Sequence, residues 1–517
     1  MGQTTLMLMI ITIISKVFGF VREAVMASFI GAGDLKSVYT TANTLPVVVS
    51  NFVAMGIISG FIPIYNKAKN EEGEEAAEAF TSNVFNILMR FGLFAVIFGL
   101  VFARPFSKIL SPDLEGEWLD LATNYTRIMM FAVLAYLYSA IFRGYLNLKG
   151  NFFDPAITGI LMNIVIIIFT VLTGLTGNPY LLIIGALLGN VLQYILFPKA
   201  ARQAGYEHKK IVDIHNKYVR SLMIVAIPII ISSAAGELSI IADNSMASYF
   251  FGKAAISKLF YSKTMLTLIT GVITVSVTTA IFPKIAHLGQ AGKISQMKTS
   301  ISSAVVTTMT LVIPATVGMM VLAEPIIELV FERKAFTSDD TIIVASLLSA
   351  YAPYIIFQSL TDVVDRGFYA VGDSKTPVII VVIQQALNVI LNFVFIKYFD
   401  IQGLAYATVT STAIGSIMMI YKFRDNFGAF NFKKTLISLG KIILATSLMA
   451  YLAYVSYGAL ASRISHILAL FLAIIFAGLV YLLVILLARI PEVMDLVNQL
   501  FGKKQNKRVA KRKRKNK

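Results

Sequence analysis

Long apolar runs, interrupted by short stretches of polar, glycine and proline residues, set the rhythm of this chain. Their centres fall near residues 17, 50, 93, 131, 165, 188, 232, 272, 311, 353, 386, 412, 446 and 475. Each run lasts about 20 residues or more, the length an α-helix needs to cross a hydrocarbon core, whereas a β-barrel strand needs about 10 with strict alternation. The pattern therefore predicts an all-α polytopic membrane protein with about fourteen transmembrane helices. Two boundaries rest on short turn-forming stretches: TGLTGNPY (173–180) divides spans five and six, and YFDIQG (398–403) divides eleven and twelve. The beginning of the chain lacks the basic segment, short apolar core and cleavage site of a removable leader, so span one is expected to stay in the membrane.

Composition agrees: 57% of residues are hydrophobic and only 14% charged, with a mean hydropathy of +0.75. The absence of cysteine excludes disulfides, thiol catalysis and thiolate metal sites. Lys and Arg follow the positive-inside rule if the N-terminus is cytoplasmic. Loops after even-numbered spans then hold about 19 basic residues against about 9 after odd-numbered ones, and the segment 199–220 contributes most. With fourteen spans the C-terminus is cytoplasmic too, which places KKQNKRVAKRKRKNK (503–517) there. Ten of the formal +17 charges lie in that stretch. A nucleic-acid arm is the other reading of such a tail, but beside a membrane domain it is expected to anchor to anionic lipid, with no nucleic-acid partner.

The sequence repeats itself at an offset of about 220 residues. ARPFSKIL (103–110) matches AEPIIELV (323–330), FIPIYNKA (61–68) matches IFPKIAHL (281–288), and RGYLNLKGNFFDP (143–155) matches RGFYAVGDSKTP (366–377). An even number of spans separates the copies, so they share one orientation, as in transporters built from parallel repeats. The expected organisation is a first lobe over 1–203 with helices one to six, a second lobe over 204–425 with helices seven to twelve, helices thirteen and fourteen over 426–495, and a basic tail over 496–517. Two such lobes facing each other leave a central cavity.

Several charges lie within the spans. A Lys or Arg near a helix centre costs about 2.5 to 3.5 kcal/mol on insertion scales, so it usually faces a cavity, a partner or a ligand. Arg22 is close enough to the outer end of span one to snorkel. Lys16 lies deeper, and so does Lys263 in span eight, which follows Lys253 and Lys258 nearer the outer end. Glu237 and Asp243 in span seven are the acids that an internal ion-pair network would use. The functional alternative is an anion site made from both lobes. Arg grips phosphate oxygens bidentately and Lys acts as a point charge, which suits a phosphate or diphosphate headgroup.

These residues also carry a family resemblance. SKVFGFVREAVMASFIGAG (15–33) resembles the first-helix signature of the MurJ (MviN) lipid II flippases, within the multidrug/oligosaccharidyl-lipid/polysaccharide exporter superfamily. RGFYAVGDSKTPV (366–378), LPVVVSNFVAMGIISGFIPIY (45–65) and ADNSMAS (242–248) are similar to further segments of that family. The resemblance implies a V-shaped pair of lobes, open alternately to each side, that moves an undecaprenyl-diphosphate-linked peptidoglycan precursor to the outer leaflet of the bacterial cell membrane. By position, Lys16 replaces the family's first basic residue and Arg22 matches the second. Asn51 and Met55 stand where span two usually carries Arg and an acid, Ser37 lies where an acid is usual, and Lys263 neighbours the customary basic position near Thr264. The expected substrate-binding set is Lys16, Arg22, Asn51 and Lys263.

No P-loop is present, so a coupling ion is the expected driver. Asp243 is an intramembrane acid, Asn388 and Asn392 share one face of span eleven at i and i+4, and Thr408 follows on span twelve. Their oxygens suit a hard monovalent cation, and interhelical hydrogen bonding is the simpler account of such Asn residues. The resemblance makes that ion sodium, although the family's second position on span eleven is Asp rather than Asn. No other cofactor or metal is expected, and the working unit is expected to be a monomer. Two other readings stay open: a flippase for another lipid-linked oligosaccharide or a cation-coupled exporter on the same scaffold, and a membrane enzyme such as a polyprenyl-phosphate sugar transferase. The exporter would want a cavity of acids and aromatics. The enzyme would want clustered carboxylates for Mg²⁺ on a cytoplasmic loop, where only NEEGEE (70–75) is available, with Asp339 and Asp340 on the other side.

Overall fold

The computed structural model describes residues 2–428 and 432–494; the basic tail lies outside them. Fourteen long helical rods run through the described residues, one over each expected centre. These are α1 (Gly2–Ile30), α2 (Asp34–Glu72), α3 (Glu74–Leu110), α4 (Gly116–Leu148), α5 (Phe153–Thr176), α6 (Tyr180–Gln203) and α7 (Lys217–Phe251). Next comes α8, made of Ala255–Ile269, one π turn at Thr270–Thr274 and Val275–Gln290. The rest are α9 (Ile294–Val321), α10 (Ser338–Ala370), α11 (Lys375–Phe399), α12 (Gln402–Phe427), α13 (Phe432–Ala461) and α14 (His466–Leu487), with a short helix, Ala323–Phe331, between α9 and α10. Eleven rods meet both the length and the apolarity of a membrane span; α1, α2 and α8 complete the fourteen. Helix α2 continues through Pro46 and Pro63 over 39 residues.

The chain forms two compact units. The first holds α1 to α7, the start of α8 as far as Tyr261, and the segments Val330–Thr341 and Gln385–Phe393. Within it α1 packs on α5, α5 on α6, and α2 on α3, α4 and α7. An aromatic cluster of Phe61, Tyr65, Phe80 and Tyr145 fills one core of this unit. At the loop-side edge of that core, Lys149 sits 2.5 Å from Glu74 and 2.9 Å from Glu78. Burial opposes the Lys149 ammonium, but hydrogen bonds to the two carboxylates outweigh it and hold its pKa above the usual lysine range.

The second unit holds Ser262–Leu329, Ile342–Gln384 and the described residues from Val394 onward. Here α9 packs on α8, α10 and α13, α10 on α12, and α13 on α14. On α14, Ala469, Ala473 and Ala477 are buried at a spacing of four, while Leu468, Ile475, Leu479 and Leu482 are exposed. Small residues on the packed side let the helix approach closely, and the branched side chains on the other side face outward, as on a helix bordered by lipid. Tyr481 closes the same seam, donating to the Thr310 carbonyl of α9 at 2.6 Å.

The internal repeat is visible as geometry. Two residues beyond the end of α4 comes Gly150, and two beyond the end of α10 comes Gly372, each with φ +84°. In both turns the residue after the glycine donates back into the helix: Asn151 N–H to the Leu146 carbonyl at 2.9 Å, and Asp373 N–H to the Phe368 carbonyl at 3.0 Å. The left-handed conformation is one that glycine adopts without a Cβ penalty, and it satisfies carbonyls left open at a helix end.

Candidate substrate and ion sites

The link between α1 and α2 is three residues long, Gly31 to Gly33, so the end of the first rod and the start of the second are held side by side. Gly31 takes φ +77° to make the elbow. The start of α8 clamps it: Tyr261 donates to the Gly31 carbonyl at 3.1 Å, Ser257 Oγ donates to the Ala32 carbonyl, and Ser257 N–H donates to Ser37 Oγ at 3.1 Å.

Inside this elbow lies a charge cluster, buried at Glu23 and Lys36 and partly exposed at Arg22. Arg22 reaches one oxygen of Glu23 with two nitrogens, at 3.0 and 2.6 Å, and Lys36 Nζ reaches the other at 3.0 Å. Glu23 is 3% exposed and Lys36 is fully buried. The Lys36 ammonium also lies over the rings of Phe260 at 4.2 Å, Tyr39 at 5.1 Å and Tyr261 at 5.1 Å, an arrangement that gains most where water is excluded. With all three ionised, the cluster carries one net positive charge. The neutralising acid for Arg22 is therefore its own neighbour Glu23, not Glu237 or Asp243. Lys36 was not singled out from the sequence. Its signal is slight: a Lys three residues beyond a Gly-Ala-Gly turn, where an outer loop is the natural reading.

The other basic residues within the spans have different surroundings. Lys253 lies 3.0 Å from Asp34 and over Trp118, and Lys258 lies 3.4 Å from Asp340, so each is neutralised by an acid. Lys16 is exposed on α1 and has no ion pair among the described residues. Lys263 belongs to the second unit, with its ammonium 5.2 Å from the centre of the Tyr351 ring. The second unit also carries an intramembrane group that the sequence reading passed over. Gln358 donates to Asp362 at 2.8 Å, and Arg366 Nε faces Asp365 at 3.6 Å.

Three of the four expected ion ligands come together in the first unit. Asp243, Asn388 and Asn392 are all buried. Asn392 Nδ2 donates to Asp243 Oδ1 at 2.8 Å, and Ser239 donates to Asn388 Oδ1 at 2.8 Å. The amide of Asn392 is oriented by the carboxylate, which can only accept. Its own Oδ1 is then left buried without a hydrogen-bond partner. A buried oxygen in that state is costly unless something else meets it. Thr408 lies in the second unit and donates to the Leu404 carbonyl at 2.9 Å.

Asn51 occupies a different setting. Its Nδ2 donates to Glu237 at 2.7 Å, which engages the acid that sequence reasoning offered to the cations. It also lines a cavity of about 320 Å³ in the first unit, together with Arg143 of α4 and Asn190 of α6.

The family model described as "Lipid II flippase MurJ" matches residues 26–473. A probable lipid II flippase MurJ from Rhizobium meliloti (strain 1021) is 26% identical over 468 residues, covering 88% of this chain and 86% of the relative. Another from Buchnera aphidicola subsp. Baizongia pistaciae is 26% identical over 473 residues, covering 90% and 91%. The solved structure of a lipid II flippase MurJ in an inward closed conformation superposes with a TM-score of 0.80 at 25% identity, over 93% of this chain and 98% of that one. An inward-facing MATE-family multidrug transporter of the MOP superfamily superposes with a TM-score of 0.66 at 14% identity, over 80% and 94% of the two chains, a likeness of fold.

Proposed function

Since the chain belongs to the lipid II flippase MurJ family, we propose that it carries the diphosphate headgroup of a lipid-linked peptidoglycan precursor across the membrane by alternating access, with the headgroup drawn to Lys16, Arg22 and Lys263. The observation that carries this reading is the Arg22–Glu23–Lys36 cluster, buried at Glu23 and Lys36. A carboxylate shared by two cations leaves an excess positive charge in a helical membrane protein, and the natural complement of that excess is a transported anion. Glu23 orients the Arg22 fork, and Lys36 keeps Glu23 from cancelling it. An exporter of cations would want the opposite sign.

The same proposal places both termini in the cytoplasm, the basic tail on anionic lipid, a single chain as the working unit, and no nucleotide hydrolysis in the chain. Coupling is assigned to Asp243, Asn388, Asn392 and Thr408 with sodium as the ion. The unmatched Asn392 Oδ1 beside the Asp243 carboxylate supports it, because a hard monovalent cation is met by such oxygens.

The test is rescue of a bacterial strain depleted of its own lipid II flippase. Growth should return, and precursor trapped in the cytoplasmic leaflet should fall to the undepleted level. Correctly inserted protein with no rescue and unchanged trapping sinks the proposal. Abolished precursor synthesis on removing this protein from its own host would point to the enzyme reading.

A further inference from the structure

We propose that the cavity in the first unit between α2, α4, α5 and α6 is a subsite for a carboxylate, supplied by the peptide part of the transported precursor. This rests on the flippase reading and deepens it.

The cavity measures about 320 Å³, and its polar lining includes Ser50 and Asn51 of α2, Ser139 and Arg143 of α4, and Asn190 and Tyr194 of α6. Among the described residues, Arg143 is its only lining side chain of either charge. The guanidinium donates to Thr158 Oγ1 at 3.2 Å and is in no ion pair among the described residues. An Arg has five N–H donors, so most of its capacity is left for something else. Snorkelling to the end of α4, about 7.5 Å away at the rise of an α-helix, is the ordinary alternative. The bond to Thr158 turns the group onto α5 instead and leaves it on the cavity wall.

The neutral side of the cavity is fixed in advance. Asn190 Nδ2 is held by the Ala186 carbonyl at 2.8 Å, and its Oδ1 accepts from Tyr136 at 2.8 Å. Asn51 is held by Glu237, which does not line the cavity. One guanidinium among amides and hydroxyls matches a group with one planar negative charge and a polar, uncharged body. A diphosphate carries more charge than this wall answers. The volume lies near the lower end of the range for small-molecule sites, suited to an amino acid or the end of a short peptide rather than a whole headgroup. The C-terminal end of the precursor's peptide, one carboxylate on an uncharged amide backbone, has that chemistry.

Binding to the full-length protein in detergent tests this, using a water-soluble muramoyl pentapeptide, the same compound with its carboxylates amidated, and sodium acetate. The free-carboxylate compound should bind at least tenfold tighter than the amidated one. Arg143→Gln should abolish that preference, Arg143→Lys should keep part of it, and Thr158→Val should keep most. Three results overturn the proposal: equal binding of the two peptides, a preference that survives Arg143→Gln, or no binding of either. Acetate binding as tight as the peptide assigns the cavity to free small anions and overturns the substrate as source. The flippase reading stands or falls separately on rescue of the depleted strain, which Arg143→Gln should slow rather than abolish.

Discussion

Lys36 Nζ lies 3.0 Å from Glu23 Oε2 with both side chains buried, so the charge on Glu23 does not depend on Arg22 alone. The consequence for mutagenesis is an asymmetry between the two cations. In Arg22→Ala, Glu23 keeps Lys36 and the cluster becomes neutral. In Lys36→Met, Glu23 keeps only Arg22 and the ammonium's ring contacts are lost as well.

Arg22→Ala is therefore expected to leave folded protein within about twofold of wild type, while flipping falls by at least tenfold. Lys36→Met, which leaves Glu23 paired with Arg22, is expected to destabilise by about 1.5–3 kcal/mol, the range for a lost hydrogen bond to a charged group. Thermal unfolding in detergent and flipping in proteoliposomes, measured on the same preparations, check both. A fully active Arg22→Ala protein means that Arg22 only snorkels.

Replacing Asp243 by Asn keeps the shape of the buried trio and removes its charge. Flipping should lose its dependence on a sodium gradient while the protein folds normally. An unchanged response to the gradient puts coupling elsewhere.

Lys16 has no acid to satisfy among the described residues, so its substitutions should read out ligand rather than stability. Lys16→Arg should keep substantial flipping. Lys16→Gln should fold normally with flipping reduced several-fold, and Lys16→Glu should fold and be inactive. Normal flipping by the Gln variant removes Lys16 from the headgroup site.

At Lys149 the sign of the pH dependence follows from its raised pKa. Its contribution is complete below the unfolded lysine value of about 10.4 and is lost only as pH rises toward the higher folded value. Lys149→Met should therefore lower the unfolding temperature by the same amount at pH 6, 7.5 and 9, and the gap should begin to narrow only above about pH 10.4. A gap that already closes between pH 6 and 9 would show that the Glu74 and Glu78 contacts do not hold in solution.

Most of the fourteen rods were legible because they are runs of about 20 apolar residues, a property of composition that needs no partner. Even the short turns at Gly177 and Asp400 were readable from their turn-forming residues. The repeat was legible too, and Gly150 and Gly372 adopt one φ because the same turn needs the same left-handed residue. Pairing of charges was not legible. It depends on which helix faces lie together, and the sequence offered Glu237 and Asp243 for cations when the first holds Asn51 and the second Asn392. Lys36 was invisible for a related reason: nothing in an outer-loop context marks a Lys as buried until the rings of Phe260 and Tyr261, more than 200 residues later, are in place. The π turn in α8 has no sequence signature of its own.

That delay bears on how the protein is made. Tyr261, which covers Lys36 and bonds Gly31, is itself packed against Phe331 at 4.9 Å and Phe336 at 5.4 Å, while Ala335 N–H is bonded to the Ser28 carbonyl at 3.1 Å. The full set of contacts around the elbow between the first two helices is thus not available until residue 336 has been synthesised. At translation rates of about 5–20 residues per second, roughly 15–60 s separate the emergence of Gly31 from that of its last neighbour. Through that interval Glu23 and Lys36 are in the nascent chain without their final cover, and a quality-control protease or insertion chaperone would meet a first helix whose charges are still open to water.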